Sequence, residues 1–507
     1  MRWLTLAPLL AATGCNWIFG LEETVLVDAP GSELPPTSHT GLVWAIATTD
    51  GVLSPSGVDP VLEYKAIGSE TALRPKQPSI MVGDEGGLMM ATYNLADGTF
   101  EIPFDLRDSP HRIVYTLPDE AIAHEVQWSK SGARLVVPRT TRFEAPLVPS
   151  GSGYTITPMG LTSPLVAPAL FTSGVFTYSN QGTDFNPSGP VVTFPFAQEG
   201  MPLTPPFGAP QSGPGDWVLL TEWVGNGPTS NVSAFAKTQL DLVAGTMSMP
   251  ATEPMWTSTA RALTTSGGCG QNCLPSVPTA QPQMRLVNTV GAGTQSTQYL
   301  YGVSPSTDLP GFLPGVPPMF IERPLILPFV ESNILVSNVT LADPSDGLGL
   351  ERVVAVRLSN ARMVNGATLT SSIQGITNVL NAPLQLTAPL AINVQLGSAN
   401  LSTAMDGAMI VVGSGMQTLQ FASDGTTADD YVITLFQLTG SALAPLRHYH
   451  VIAPEVKIDT SLLVSGSHYV FAITARTGIP GAKDGIYDDA QYPFGSATTF
   501  TKTFIVQ

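Results

Sequence analysis

His448 and His450 stand two apart near the end of the chain, in a stretch expected to be extended. On a strand that spacing points both rings to one face, from which a pair of imidazoles can hold a transition metal. His468 falls on a strand of the same predicted sheet, roughly 10 Å away at ordinary strand spacing. Tetrahedral ligation at about 2 Å is awkward from there, so core or surface histidines are the plainer expectation. Asp484, Asp488 and Asp489 crowd a glycine-containing loop with enough carboxylate oxygen for Ca²⁺, against the simpler reading of a solvated turn. Trp217 and Trp223 are six apart and share a strand face, as a sugar-stacking platform or, more simply, as sandwich core.

Other fragments of known chemistry are incomplete. His124-Glu125 begins like a zinc-protease helix, but Trp128 stands where the second histidine belongs and the surrounding residues favour a strand. Gly151-Ser152-Gly153 and Gly413-Ser414-Gly415 lack the spacing of a nucleophile elbow. Gly291-Ala292-Gly293 meets Ser296 where a dinucleotide loop needs its third glycine. The sequence therefore predicts no catalytic residue and no cofactor, and a protein that is not an enzyme.

The elements that must position these residues follow from composition. Only 12% of the 507 residues are charged, while there are 48 glycines and 45 prolines. Low charge, many turn formers and short apolar runs predict an all-β chain of tandem sandwiches. Disorder is excluded because 43% of residues are hydrophobic. A net charge of −17 with no basic cluster excludes nucleic acid as a partner.

Three cysteines are present, Cys15, Cys269 and Cys273. The last two, in Gly267-Gly268-Cys269-Gly270-Gln271-Asn272-Cys273, form an even pair that reads first as a disulfide in an exported protein, with free thiols as the alternative. Closing so short a loop is worth roughly 2 kcal/mol.

Composition shifts divide the chain into a leader over 1–14, a tether over 15–40, β domains over 41–145, 165–320 and 321–405, and a last domain over 406–507. The tether is rich in Glu, Asp and Pro, although Thr24-Val25-Leu26-Val27 also suits a first strand. Ser371 to Leu380, with Ile373, Ile376 and Leu380 on one face, is the one helix the pattern predicts.

Met1 to Cys15 has a lone Arg2, a short apolar run and the small residues Ala12-Thr13-Gly14 before Cys15. This resembles a bacterial lipoprotein signal, which implies cleavage before Cys15 and acylation of its thiol. Asn16, rather than aspartate, then implies the outer membrane. Asp97-Gly98 followed by alternating Phe100, Ile102 and Phe104 resembles the transthyretin-like or carboxypeptidase-regulatory sandwich. Leu463, Gly466 and Tyr469, followed by an aliphatic residue and an alanine at alternate positions, Ile473 and Ala475, resemble the fibronectin type III pattern of the immunoglobulin-like folds. That resemblance implies that Tyr469 is a tyrosine-corner residue bonding back to upstream backbone. The whole is similar to the surface lipoproteins of myxobacteria. It implies an anchored, non-catalytic binding, adhesion or scaffolding module, its partners the membrane and an extracellular protein or carbohydrate. The contrasting expectation is an exported hydrolase or carbohydrate-active protein with accessory sandwiches.

Overall fold

The computed structural model describes strand backbones from Val43 onward, and side chains in most of 79–94, 112–127, 275–299 and 353–507. Cys15, Cys269, Cys273, Asp488, Asp489, the expected tether, and the side chains of Asp484, Trp217 and Trp223 lie outside the described residues.

The chain is all-β. Val43–Thr48, Val61–Ala66, Ala72–Leu73 and Arg134–Pro138 form a four-stranded sheet, and Trp217–Val224 is the middle strand of a five-stranded one. The site is built by β1 (Ser79–Asp84), β2 (Gly87–Met90), β3 (His111–Thr116), β4 (Ala123–Trp128), helix α1 (Ala280–Val290), β5 (Thr294–Pro305), β6 (Phe320–Leu327), β7 (Leu350–Val364) and β8 (Ala367–Thr377). After them come β9 (Ala391–Leu396), β10 (Met416–Ser423), β11 (Asp430–Thr439), β12 (Ala442–Val451), β13 (Glu455–Asp459), β14 (His468–Thr477), β15 (Phe494–Phe500) and β16 (Phe504–Val506).

One fourteen-stranded sheet runs in the order β6-β5-β7-β8-β15-β14-β11-β12-β4-β3-β1-β2, with β16 paired to β14 and the short strand Ala408–Ile410 paired to β16. Its middle strands are also one layer of a C-terminal sandwich. The other layer is β9-β10-β13, and the two layers pack face to face as a β-sandwich. Leu419, Phe421, Val456 and Ile458 from one layer meet Ile433, Leu435, Phe471 and Ile473 from the other. β9 belongs to this sandwich, so it begins ahead of the boundary expected at residue 406.

The corner residues close the sandwich end. The buried Tyr469 accepts the Val464 N–H on its hydroxyl at 2.6 Å. Gly466 supplies the left-handed turn between them at φ 82°, and Leu463 is buried in the core.

The helix expected over Ser371 to Leu380 is instead strand β8, a correction with a clear cause. β8 is hydrogen-bonded to β7 on one side and β15 on the other, and it is buried along most of its length on both faces. A strand covered on both faces loses period-two alternation, so its apolar residues can fall at helical spacing. Gly375 lets Leu384 and Leu386 lie directly on the backbone: a Cβ there would come within 2.7 Å of Leu386 Cδ2. The turn from β7 is Asn365-Gly366, both at positive φ, as a tight hairpin between twisted strands requires. Among the described residues a helix forms instead at α1, where the sequence pattern predicts none. It buries Pro282, Gln283 and Leu286 against β7 and β8.

Candidate functional site

The candidate metal pair, His448 and His450, lies where two modules are joined. β12 pairs with β11 on one side and, in parallel, with β4 on the other, so that His448 sits opposite His124 and Tyr449 opposite Glu125. His448 and His450 do share a face. The third ring on that face is His124 from β4, not His468, which is registered to Leu438 on the far side of β11.

The three rings are stacked rather than convergent. His124 lies 5.1 Å from His448 and 5.8 Å from His450 between centroids, with interplanar angles of 25° and 26°, and Tyr115 stacks on its other side at 5.3 Å. Near-parallel rings aim their nitrogen lone pairs side by side, not at a common point, and metal ligation needs the latter. Among the described residues no group of His, Cys, Asp or Glu has metal-binding geometry. His448 Nδ1 shares a hydrogen bond with the Thr434 hydroxyl at 2.9 Å, while neither ring nitrogen of the buried His450 has a hydrogen-bond partner. Burial first, then the neighbouring His124, pushes His448 down from 6.5 to about 4. The same causes, together with the charges of Arg476 and His448, hold His450 well below its ordinary value.

The opposite face of the seam holds a charge cluster. Glu125, with no exposed surface, accepts from Arg112 Nε at 2.6 Å, Gln127 Nε2 at 2.6 Å and Arg447 at 2.9 Å. Gln127 also exchanges hydrogen bonds with the Lys457 backbone, so β4 is tied to β13 as well as β12. The Tyr449 phenol beside Glu125 is raised, chiefly by burial. On the histidine face, Arg476 forms a two-point pair with the buried Asp430. Glu125 thus clamps strands across the joint, while Asp430 ties the neighbouring strands β11 and β14. His124 and Glu125 were visible in the sequence only as a broken zinc motif.

A second feature is an open groove of about 510 Å³ between α1 and the sandwich. Arg285 fixes its width by a two-point pair to Asp424 at 2.8 Å and by donating to the Leu386 and Ala388 carbonyls. Arg362 stands across it, paired to Asp406 and donating to the Thr501 carbonyl at 2.6 Å. Neither arginine stood out in the sequence, because each acquires its partner only through long-range pairing.

No family model matches the chain, and no curated protein does. Among solved structures, the immunoglobulin domains 1-5 of Sidekick-1 align over 92% of this chain and 77% of that one, at 10% identity and a TM-score of 0.10.

Proposed function

We propose that this is a lipid-anchored protein of the bacterial cell envelope, moored at the outer membrane or cell surface through Cys15, where it serves as a non-catalytic scaffold and binding module. One observation supports the scaffold reading above the others. Glu125 is fully buried between Arg112 of β3 and Arg447 of β12, so that strands from opposite ends of the chain become one sheet. A buried carboxylate bonded by two guanidiniums fixes the register of a joint, because a slip that parts them while they stay buried leaves an uncompensated charge. Such a joint suits a protein that must hold its parts at fixed separation. The contrasting hydrolase reading gains nothing from the His448–Thr434 pair. Thr434 is buried, and its hydroxyl faces a stack of aromatic rings rather than a substrate groove.

The anchor is tested by expressing the wild type and Cys15→Ala and following detergent phase partitioning. Wild type is expected in the detergent phase and the variant in the aqueous phase, since each acyl CH₂ contributes about 0.8 kcal/mol on burial in lipid. Equal aqueous partitioning of both would remove the anchor.

A further inference from the structure

The groove between α1 and the sandwich has the dimensions and chemistry of a ligand site. Its volume of about 510 Å³ falls in the range of small-molecule clefts. The walls combine partly buried Val290, Ile392 and Phe500 with amides and hydroxyls from Asn288, Thr289, Asn393 and Thr403. None of those four polar side chains makes a hydrogen bond within the described structure.

Asn393 is placed there at a conformational cost. It has φ 54° in an irregularity of β9 between Ile392 and Gln395, where pairing to β10 slips. The left-handed region is uncommon outside glycine, and asparagine tolerates it best. The slip breaks the in-out alternation of the strand, so Ile392 and the exposed Asn393 both escape the sandwich core and Asn393 reaches the groove wall.

Charge within the groove is unbalanced. Arg285 is matched by Asp424, and Arg362 by Asp406, which also accepts from the Thr503 N–H at 2.9 Å. Burial pushes the Asp406 carboxyl up, but the bonds from Arg362 and Thr503 and the charges of Arg362 and Lys502 outweigh it, and it sits below its ordinary value. Lys502 is the third cation of the lining and has only a 3.8 Å approach to that occupied carboxylate. A local positive excess on a chain of net charge −17 marks a site for a small anion-bearing ligand rather than for a long polyanion.

We infer that this groove binds a carboxylated sugar, with Lys502 receiving the carboxylate and Asn288, Thr289, Asn393 and Thr403 the ring hydroxyls. The apolar strip of Val290, Ile392 and Phe500 suits the C–H face of a pyranose. The inference rests on the reading of the protein as a binding module and gives that module a ligand class.

Calorimetric titration of the full chain in detergent with trigalacturonate, and separately with the neutral galactose trimer, tests it. Saturable binding of the acidic trimer is expected, weakened by added salt, with the neutral trimer binding about tenfold less well. Lys502→Gln keeps the aliphatic stem and is expected to remove that preference. Asn393→Gly suits the local backbone, so it is expected to keep the melting temperature while weakening both sugars several-fold. Absence of saturable binding by either sugar, equal affinity for the two, or unchanged affinity in both variants would overturn the assignment. Detergent partitioning of the same preparations reads the anchor at Cys15 independently of the groove, so the two readings fail separately.

Discussion

His124 and His448 face each other across a parallel strand pair, their rings stacked 5.1 Å apart between centroids at a join between distant parts of the chain. Tyr115, Thr434 and the Asp430–Arg476 pair share that face, and Glu125, Arg112 and Arg447 lie on the other. In the unfolded chain histidine takes up a proton near pH 6.5. In the folded chain His448 resists until about pH 4, and His450 is likewise held well below its ordinary value. Between those values the unfolded state binds more protons, so stability falls as pH falls, by up to about 1.4 kcal/mol per pH unit for each ring. Denaturant midpoints are expected to drop steadily from pH 6.5 toward 4. His450→Leu, which removes two unbonded ring nitrogens, is expected to flatten that slope and to be at least as stable as wild type at pH 5. A midpoint independent of pH through this window would refute the account.

Glu125→Gln probes the other face of the same seam. The variant keeps the shape but removes the buried counter-charge between Arg112 and Arg447, leaving only the more exposed Asp459 nearby. Breaking a buried ion cluster by removing one partner costs about 3–5 kcal/mol. The expected readout is a lowered denaturant midpoint together with faster amide exchange in Ala123–Trp128. Asp406, the partner of Arg362 beside the groove, is more exposed, so Asp406→Asn is expected to cost less, about 1 kcal/mol. Similar losses for the two variants would show that burial does not govern these pairs.

The local part of the fold was legible in the sequence, and the non-local part was not. Leu463, Gly466 and Tyr469 lie within a few residues of one another, and their spacing carries the corner. β13 alternates visibly because one face of it lies against the sandwich core. β8 did not, since neighbours on both faces erase alternation, and Ile373 and Ile376 then imitate a helix. His448 and His450 were found, but their neighbour was not. Which strand lies beside β12 is decided by pairing with β4, more than three hundred residues earlier, and no local pattern in either strand encodes that choice. The groove was hidden for the same reason: Arg285, Arg362, Asn393 and Lys502 come from four separate segments.

The sandwich end offers a test of cooperation between neighbouring features. Tyr469→Phe keeps the ring packed near Phe504, at 5.9 Å between centroids, and deletes only the hydroxyl that accepts the Val464 N–H. Leaving that donor without its acceptor is expected to cost about 1–2 kcal/mol. Gly466→Ala meets no atom within 4 Å of the added Cβ, so its cost is purely the left-handed backbone at φ 82°, about 1 kcal/mol. Both changes act on the loop from Leu463 to His468. Once the glycine turn is strained, the loop can relax away from the phenol, and the hydroxyl has less left to lose. The double variant is therefore expected to be destabilised by less than the sum of the single ones, by 0.5 kcal/mol or more in a denaturation cycle. Strict additivity would mean that the turn and the hydroxyl hold the loop independently, and that the Tyr469–Val464 bond forms whatever the backbone at Gly466 does.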